Sequence, residues 1–231
     1  MFSLKLKYRI LDDFHIRESY RTLRTNIEFT GIDNRVIAIS SANPEDGKSA
    51  TTLNLANAFA QSGKKVLIID ADLRKSVMTT SQSRNAVMGL SHYLSGLANI
   101  NEIISTSDIE NLYVITTGKF PPNPTELLSK ERFGDLLNRL KKEFDYIVID
   151  TPPLGSVIDA AIVAKVCDCS LLVISSNSTT SKHVKNVIGQ LKKANPNFLG
   201  VVLSKFDIHN TKYYGGSKYY KYYEYEYKNN D

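Results

Sequence analysis

The segment Ala42-Asn43-Pro44-Glu45-Asp46-Gly47-Lys48-Ser49 joins an apolar run, Val36-Ile37-Ala38-Ile39, to a helix-like pattern from Thr51 to Ala60. Strand, glycine-containing loop and helix in that order form the context of a phosphate-binding loop. Backbone N–H groups and the helix N-terminus would face the phosphates. Lys48 would reach the β- and γ-phosphates, and the Ser49 hydroxyl would bind Mg²⁺. Ala42 stands where the general pattern has its first Gly. The expected nucleotide-binding residues are Asn43, Pro44, Glu45, Asp46, Gly47, Lys48, Ser49 and Ala50.

Two more strand-like runs end in acid. Val66-Leu67-Ile68-Ile69 leads into Asp70-Ala71-Asp72-Leu73-Arg74, and Tyr146-Ile147-Val148-Ile149 leads into Asp150-Thr151-Pro152-Pro153. Carboxylates at the C-terminal ends of parallel strands lie where open α/β sheets bind ligands. A lone Asp there would be read as a helix N-cap. Asp70, Asp72 and Asp150 beside a phosphate loop point instead to metal and phosphoryl chemistry.

A third chemical feature sits at the other end. The chain has 13 Tyr and no Trp, and eight of the Tyr fall between Tyr213 and Tyr227: Tyr213, Tyr214, Tyr219, Tyr220, Tyr222, Tyr223, Tyr225 and Tyr227. This tail alternates Tyr with Lys and Glu and has almost no aliphatic residues. It is expected to be flexible, because little apolar burial would offset its ordering entropy.

The elements that must position these residues follow from apolar patterning. Six β-branched runs, the three above with Leu112–Ile115, Leu171–Ile174 and Leu199–Leu203, are continuous rather than alternating. Such strands are covered on both faces, as in a parallel sheet with crossover helices. The fold expected is α/β, a doubly wound, mostly parallel sheet flanked by helices, over residues 35–209. Ahead of it, Ile16, Tyr20, Leu23 and Ile27 form one helical stripe within a segment at 1–34. Phe120-Pro121-Pro122-Asn123-Pro124 is a rigid loop before a helix from Thr125. The tail occupies 210–231.

Composition narrows the function. With 231 residues, 42% hydrophobic and 23% charged, the chain can bury a sizeable core and is not wholly disordered. The net charge of +5 is spread out, with no polybasic block, so nucleic acid is not an expected partner. No apolar run approaches membrane-spanning length and no signal peptide is visible. Cys167 and Cys169 are the only cysteines, read as core filler rather than metal ligands. A cytoplasmic setting is expected.

The phosphate loop, Asp70-x-Asp72-x-Arg74, the strand end at Asp150, Pro121-Pro122-Asn123-Pro124-Thr125-Glu126-Leu127-Leu128, Glu18-x-x-Arg21-x-x-Arg24 and the Tyr cluster occur together. In this combination the chain resembles the bacterial tyrosine kinases that govern capsular and extracellular polysaccharide synthesis. These belong to the P-loop ATPases that also include cell-division and partition regulators, whose ATP-dependent assembly switches are the alternative reading. Asn43 stands where the partition branch carries an extra Lys.

The resemblance covers nearly the whole chain. It implies ATP and Mg²⁺ as cofactors, with Lys48 on phosphate and Ser49, Asp72 and Asp150 supporting the metal. Asp70 would orient or deprotonate a tyrosine hydroxyl, and Lys48, Asp70, Asp72 and Arg74 would form the catalytic set. Glu18, Arg21 and Arg24 would pack copies into a homo-oligomeric ring, with the eight tail tyrosines phosphorylated in trans. Other implied partners are a membrane-embedded polysaccharide co-polymerase that activates the kinase and recruits it to the inner membrane face, and a tyrosine phosphatase. Ser204 stands where many members carry an Asn at the adenine.

Overall fold

In a computed structural model, residues 3–4, 13–78, 87–176, 179–195 and 197–206 are described. The apolar runs form one sheet of strands β1 (Ser3–Leu4), β2 (Val36–Ser41), β3 (Val66–Asp70), β4 (Ile104–Ser107), β5 (Leu112–Ile115), β6 (Tyr146–Asp150), β7 (Cys169–Ser175) and β8 (Phe198–Ser204). Their order is β1-β4-β5-β3-β6-β2-β7-β8. All neighbours run parallel except β4, which is antiparallel to β5. All six strand-like runs of the sequence are strands. Short β4, Ile104-Ser105-Thr106-Ser107, has no continuous apolar run and gave no such signal.

Successive residues of each central strand face opposite sides of the sheet. Ile37, Ile39, Ile68 and Val148 meet α1 (Phe14–Phe29) and α2 (Lys48–Gln61) in one cluster. On the other face lie α3 (Leu90–Leu94), α4 (Ile100–Ile103), α5 (Pro124–Leu128), α6 (Glu131–Leu140), α7 (Asp159–Lys165) and α8 (Ser181–Ala194). There Leu67, Ile69, Ile147 and Ile149 pack with Leu127, Phe133 and Leu136, and Ala38 and Leu172 pack with Ala160 and Leu191. Both faces are therefore covered, which is why the strands are apolar throughout.

Helix α2 is buried nearly all round from Lys48 to Ala60, because α1 lies over its outer side. Tyr20, Leu23 and Ile27 of the α1 stripe supply that cover, and the Arg24 guanidinium donates to the Ala58 carbonyl of α2 at 3.0 Å. Asp13 caps α1 by accepting from the Ile16 amide. At the opposite end of the sheet from the phosphate loop, Asp168 accepts from the amides of Arg35 and Val36 and pairs with Lys141 at 2.7 Å.

The sheet order brings the chemistry together. β6 lies between β2 and β3, and Asp70 is directly opposite Asp150 in the β3–β6 register. The phosphate loop leaves the C-terminal end of β2, and Gly155, in the segment after β6, runs against it. A Cβ at Gly155 would lie 2.0 Å from the Ala42 carbonyl oxygen and 3.0 Å from His183 Nε2. Gly155→Ala should therefore destabilise the chain by about 1–3 kcal/mol, the usual penalty of overpacking. Denaturant unfolding measures this, and an unchanged midpoint would show that the two segments are not in contact.

Candidate active site

The phosphate loop turns through two left-handed residues. Glu45 has φ 65° and Gly47 has φ 91°, the first a strained position for a side-chain-bearing residue. Asp46 is buried and accepts from the Asn43 amide at 2.8 Å, which closes the loop on itself. Gly47 is the N-cap of α2 and no side chain caps that helix. The first-turn N–H groups, which include those of Ser49 and Ala50, are thus available to an anion. Ser204, at the end of β8, donates to the Asp46 carbonyl, and its Oγ would lie 3.3 Å from a Cβ at Gly47. The position expected to meet the base thus braces the phosphate loop.

Lys48 points into a cluster of acids. Its Nζ is 3.3 Å from Asp150 Oδ1 and 3.5 Å from Asp72 Oδ2. The Ser49 hydroxyl donates to Asp150 Oδ2 at 2.5 Å. Asp70 is fully buried and takes a hydrogen bond from the Ser76 hydroxyl, while its Oδ1 accepts from the Asp72 amide at 3.2 Å. Lys48, Ser49, Asp70, Asp72 and Asp150 therefore meet at one place. Asp70 and Asp72 alternate along the chain, yet both reach the cluster because the chain turns tightly after β3.

One ammonium faces three buried carboxylates. Burial, followed by the charge of Asp150, pushes Asp70 up to about 7, against the opposing pull of Ser76 and Lys48. Burial also raises Asp150, although Lys48 and the Ser49 hydroxyl oppose it. For Lys48 burial favours the neutral amine, but Asp150, Asp72 and Asp70 together outweigh it and raise its pKa. The surplus of negative charge suits a divalent cation. Among the described residues no cluster of three or more His, Cys, Asp or Glu forms a metal cage. Mg²⁺ takes one or two carboxylates and completes its shell with phosphate and water. Ser49, Asp72 and Asp150 fit such an ion.

The remaining expected residues lie elsewhere. The Arg74 guanidinium is turned to Asp159 at 2.6 Å and to Thr125 at 2.8 Å. Glu18 and Arg21 pair at 2.5 Å on the open side of α1, whereas Arg24 turns inward onto α2 and sits 3.8 Å from Glu28. The stretch thus divides between surface and core. Cys169 is buried and its thiol is pushed up to about 12, chiefly by burial, as suits core filler. The eight tail tyrosines lie outside the described residues. Four other tyrosines are structural: Tyr146 stacks on Phe59, Tyr113 packs edge-on to Phe144, Tyr93 lies under Arg132, and Tyr20 bonds Thr51. Ser76 and Asp159 carry no signal in the sequence, and Ser204 is legible only through the resemblance, as a position at the adenine, because each acts through a contact distant in the chain or across a turn.

This sheet order, with a phosphate loop after β2 and acids at the ends of β3 and β6, defines a P-loop ATPase fold, and the AAA domain family matches residues 34–200. The chain is 45% identical over 197 residues to the tyrosine-protein kinase CpsD of Streptococcus pneumoniae serotype 4, covering 85% of this chain and 87% of that one. It is 40% identical over 205 residues to the tyrosine-protein kinase YwqD of Bacillus subtilis, covering 87% and 86%. The kinase domain of the Escherichia coli tyrosine kinase ETK superposes with a TM-score of 0.75 at 34% identity, over 86% of this chain and 80% of that one. The chain belongs to the bacterial tyrosine kinases.

The carboxylate cluster has a consequence for stability. An unfolded Asp70 titrates near 3.8 and the folded one near 7. Between those values the folded chain holds the extra proton, so stability falls as pH rises through the window. Without metal or nucleotide, Asp70→Asn should melt several degrees above the unsubstituted chain at about pH 8, and the gap should shrink towards about pH 4. Calorimetric scans at both pH values test this. A gap independent of pH would contradict a buried, titrating Asp70.

Proposed function

We propose that the chain transfers the γ-phosphoryl group of ATP to its own C-terminal tyrosines, Tyr213 to Tyr227, from one copy to another. The observation that carries this reading is the convergence of Lys48, Ser49, Asp72 and Asp150 at the mouth of an uncapped helix, with Asp70 alongside. Mg²⁺-ATP, when bound, supplies the phosphoryl group and a cation that neutralises charge on it. Lys48 holds the phosphates, and Ser49, Asp72 and Asp150 hold the metal.

Asp70 then serves as the acceptor for the tyrosine hydroxyl proton. A free phenol keeps its proton to a pKa near 10, so a base poised near neutrality is better matched than an ordinary Asp. The position of Asp70, pushed up to about 7, supports that assignment. The packing of Tyr20, Tyr93, Tyr113 and Tyr146 into the fold favours the tail as acceptor.

Transfer in trans needs copies held side by side. Glu18 and Arg21 stand on the open side of α1 and suit a contact with a neighbouring copy. Each phosphate adds roughly −1.5 to −2 of charge to a tail, so phosphorylation would repel neighbours and loosen a ring. In this reading the kinase acts with a membrane-embedded polysaccharide co-polymerase at the inner face of the membrane, is reset by a tyrosine phosphatase, and controls capsular or extracellular polysaccharide synthesis. No helix among the described residues is long and apolar enough to cross a membrane, which suits recruitment by a partner.

Mass spectrometry of the chain incubated with Mg²⁺-ATP and a cytoplasmic segment of its activator should find phosphate on the tail tyrosines. Lys48→Met should abolish it. Tail tyrosines unmodified in the unsubstituted chain, with Lys48→Met altering assembly alone, would favour an ATP-driven assembly switch. Light scattering of Glu18→Ala/Arg21→Ala should show smaller species than the unsubstituted chain, and an unchanged mass would remove α1 from the interface.

A further inference from the structure

Asp159 is the first residue of α7, completely buried, and far along the chain from Arg74 and the acids at the end of β3. Its Oδ2 accepts from Arg74 Nε at 2.6 Å, and its Oδ1 accepts from Arg74 Nη2 at 3.2 Å and from the Thr125 hydroxyl at 2.7 Å. Arg74 Nη2 also donates to Thr125 Oγ at 2.8 Å. The single Thr125 proton goes to Asp159 and its lone pair receives Arg74, so the three groups close a satisfied triangle. It ties together the turn after β3, helix α5 beyond the proline-rich loop, and helix α7.

The turn after β3 carries Asp72, two residues beyond Asp70 at the strand's end. The amides of Arg74 and Lys75 donate to Asp72 Oδ1 at 3.3 and 2.9 Å, which leaves Asp72 Oδ2 facing Lys48 at 3.5 Å. A shift of Arg74 would carry these amides with it and turn the Asp72 carboxylate. Surface ion pairs are worth little. Here, though, the carboxylate is buried and forked onto a guanidinium, a geometry that fixes direction as well as distance.

We propose that Asp159 is a positioning residue for phosphoryl transfer, holding the Asp72 carboxylate towards Lys48 through Arg74 and Thr125. Arg74 then acts through this anchor and not by touching the transferred group. The inference rests on the kinase reading for its effect on rate, but its effect on metal-dependent nucleotide binding does not.

The test uses the full chain and two readouts: the rate of tail phosphorylation, and binding of a fluorescent ADP analogue with and without Mg²⁺. Partners that orient metal ligands typically contribute on the order of 10–100-fold. Asp159→Asn should lower kcat by about tenfold and raise the Mg²⁺ concentration needed for half-maximal binding by a similar factor. Affinity without Mg²⁺ should stay within about twofold, since the phosphate loop is untouched. Thr125→Val, which keeps the volume, should move both readouts the same way by less, and it carries the test should Asp159→Asn not fold. Arg74→Lys, which keeps the charge but loses the fork, should recover little. Variants that match the unsubstituted chain in Mg²⁺ dependence would overturn the proposal, as would a loss of Mg²⁺-free affinity in step with activity. An unsubstituted chain that phosphorylates nothing would count against the kinase reading alone, while the binding readouts would still decide the role of Asp159.

Discussion

The catalytic end of this molecule depends on an imbalance of buried charge. Asp70, Asp72 and Asp150 are removed from water with Lys48 as the ammonium among them. Burying unpaired carboxylates costs several kcal/mol each, and a chain folded for stability alone would not gather them. The strain takes the form of displaced proton affinities, with Asp70 poised near neutrality and Asp150 raised. A divalent cation with a nucleotide phosphate would relieve that excess, so in the proposed reaction the empty and loaded states would differ in charge at this cluster.

The rest of the fold holds that imbalance in place. Parallel strands covered on both faces give a rigid platform, and the order β3-β6-β2 sets the acids beside the phosphate loop. Three contacts then brace the loops above the platform. Ser204 of β8 supports the phosphate loop at Asp46, Gly155 runs flush against Ala42, and Arg74 is locked to Asp159 and Thr125. The last brace unites two motifs that carry the resemblance to the tyrosine kinases, Asp70-x-Asp72-x-Arg74 and the proline-rich segment ending in Thr125-Glu126-Leu127-Leu128.

The strands, the α1 stripe and the phosphate loop were legible because each is encoded locally, in apolar runs, helical spacing or a loop between strand and helix. The meeting of Asp70 with Asp150 was legible only as far as strand ends go, since the register that sets them opposite each other comes from sheet order. β4 is not legible because a four-residue strand with Ser or Thr at three consecutive positions carries little apolar signal. Asp159 reads as an ordinary helix-start acid, and nothing nearby in sequence announces that its partner is Arg74. Arg24 shares the spacing of Glu18 and Arg21, but the packing of α1 on α2 turns it inward. Long-range contacts decide these cases, and spacing along the chain does not report them.

In the proposed reaction this acid-rich pocket phosphorylates the tyrosine tail of a neighbouring copy. The most direct measurement mixes two chains with Mg²⁺-ATP and the activator segment. One carries Lys48→Met and an intact tail, and the other has an intact pocket with its eight tail tyrosines replaced by Phe. Phosphate should appear on the tail of the Lys48→Met chain, and only when both are present. A tail that stays unmodified in the mixture, while the unsubstituted chain phosphorylates its own, would contradict transfer between copies.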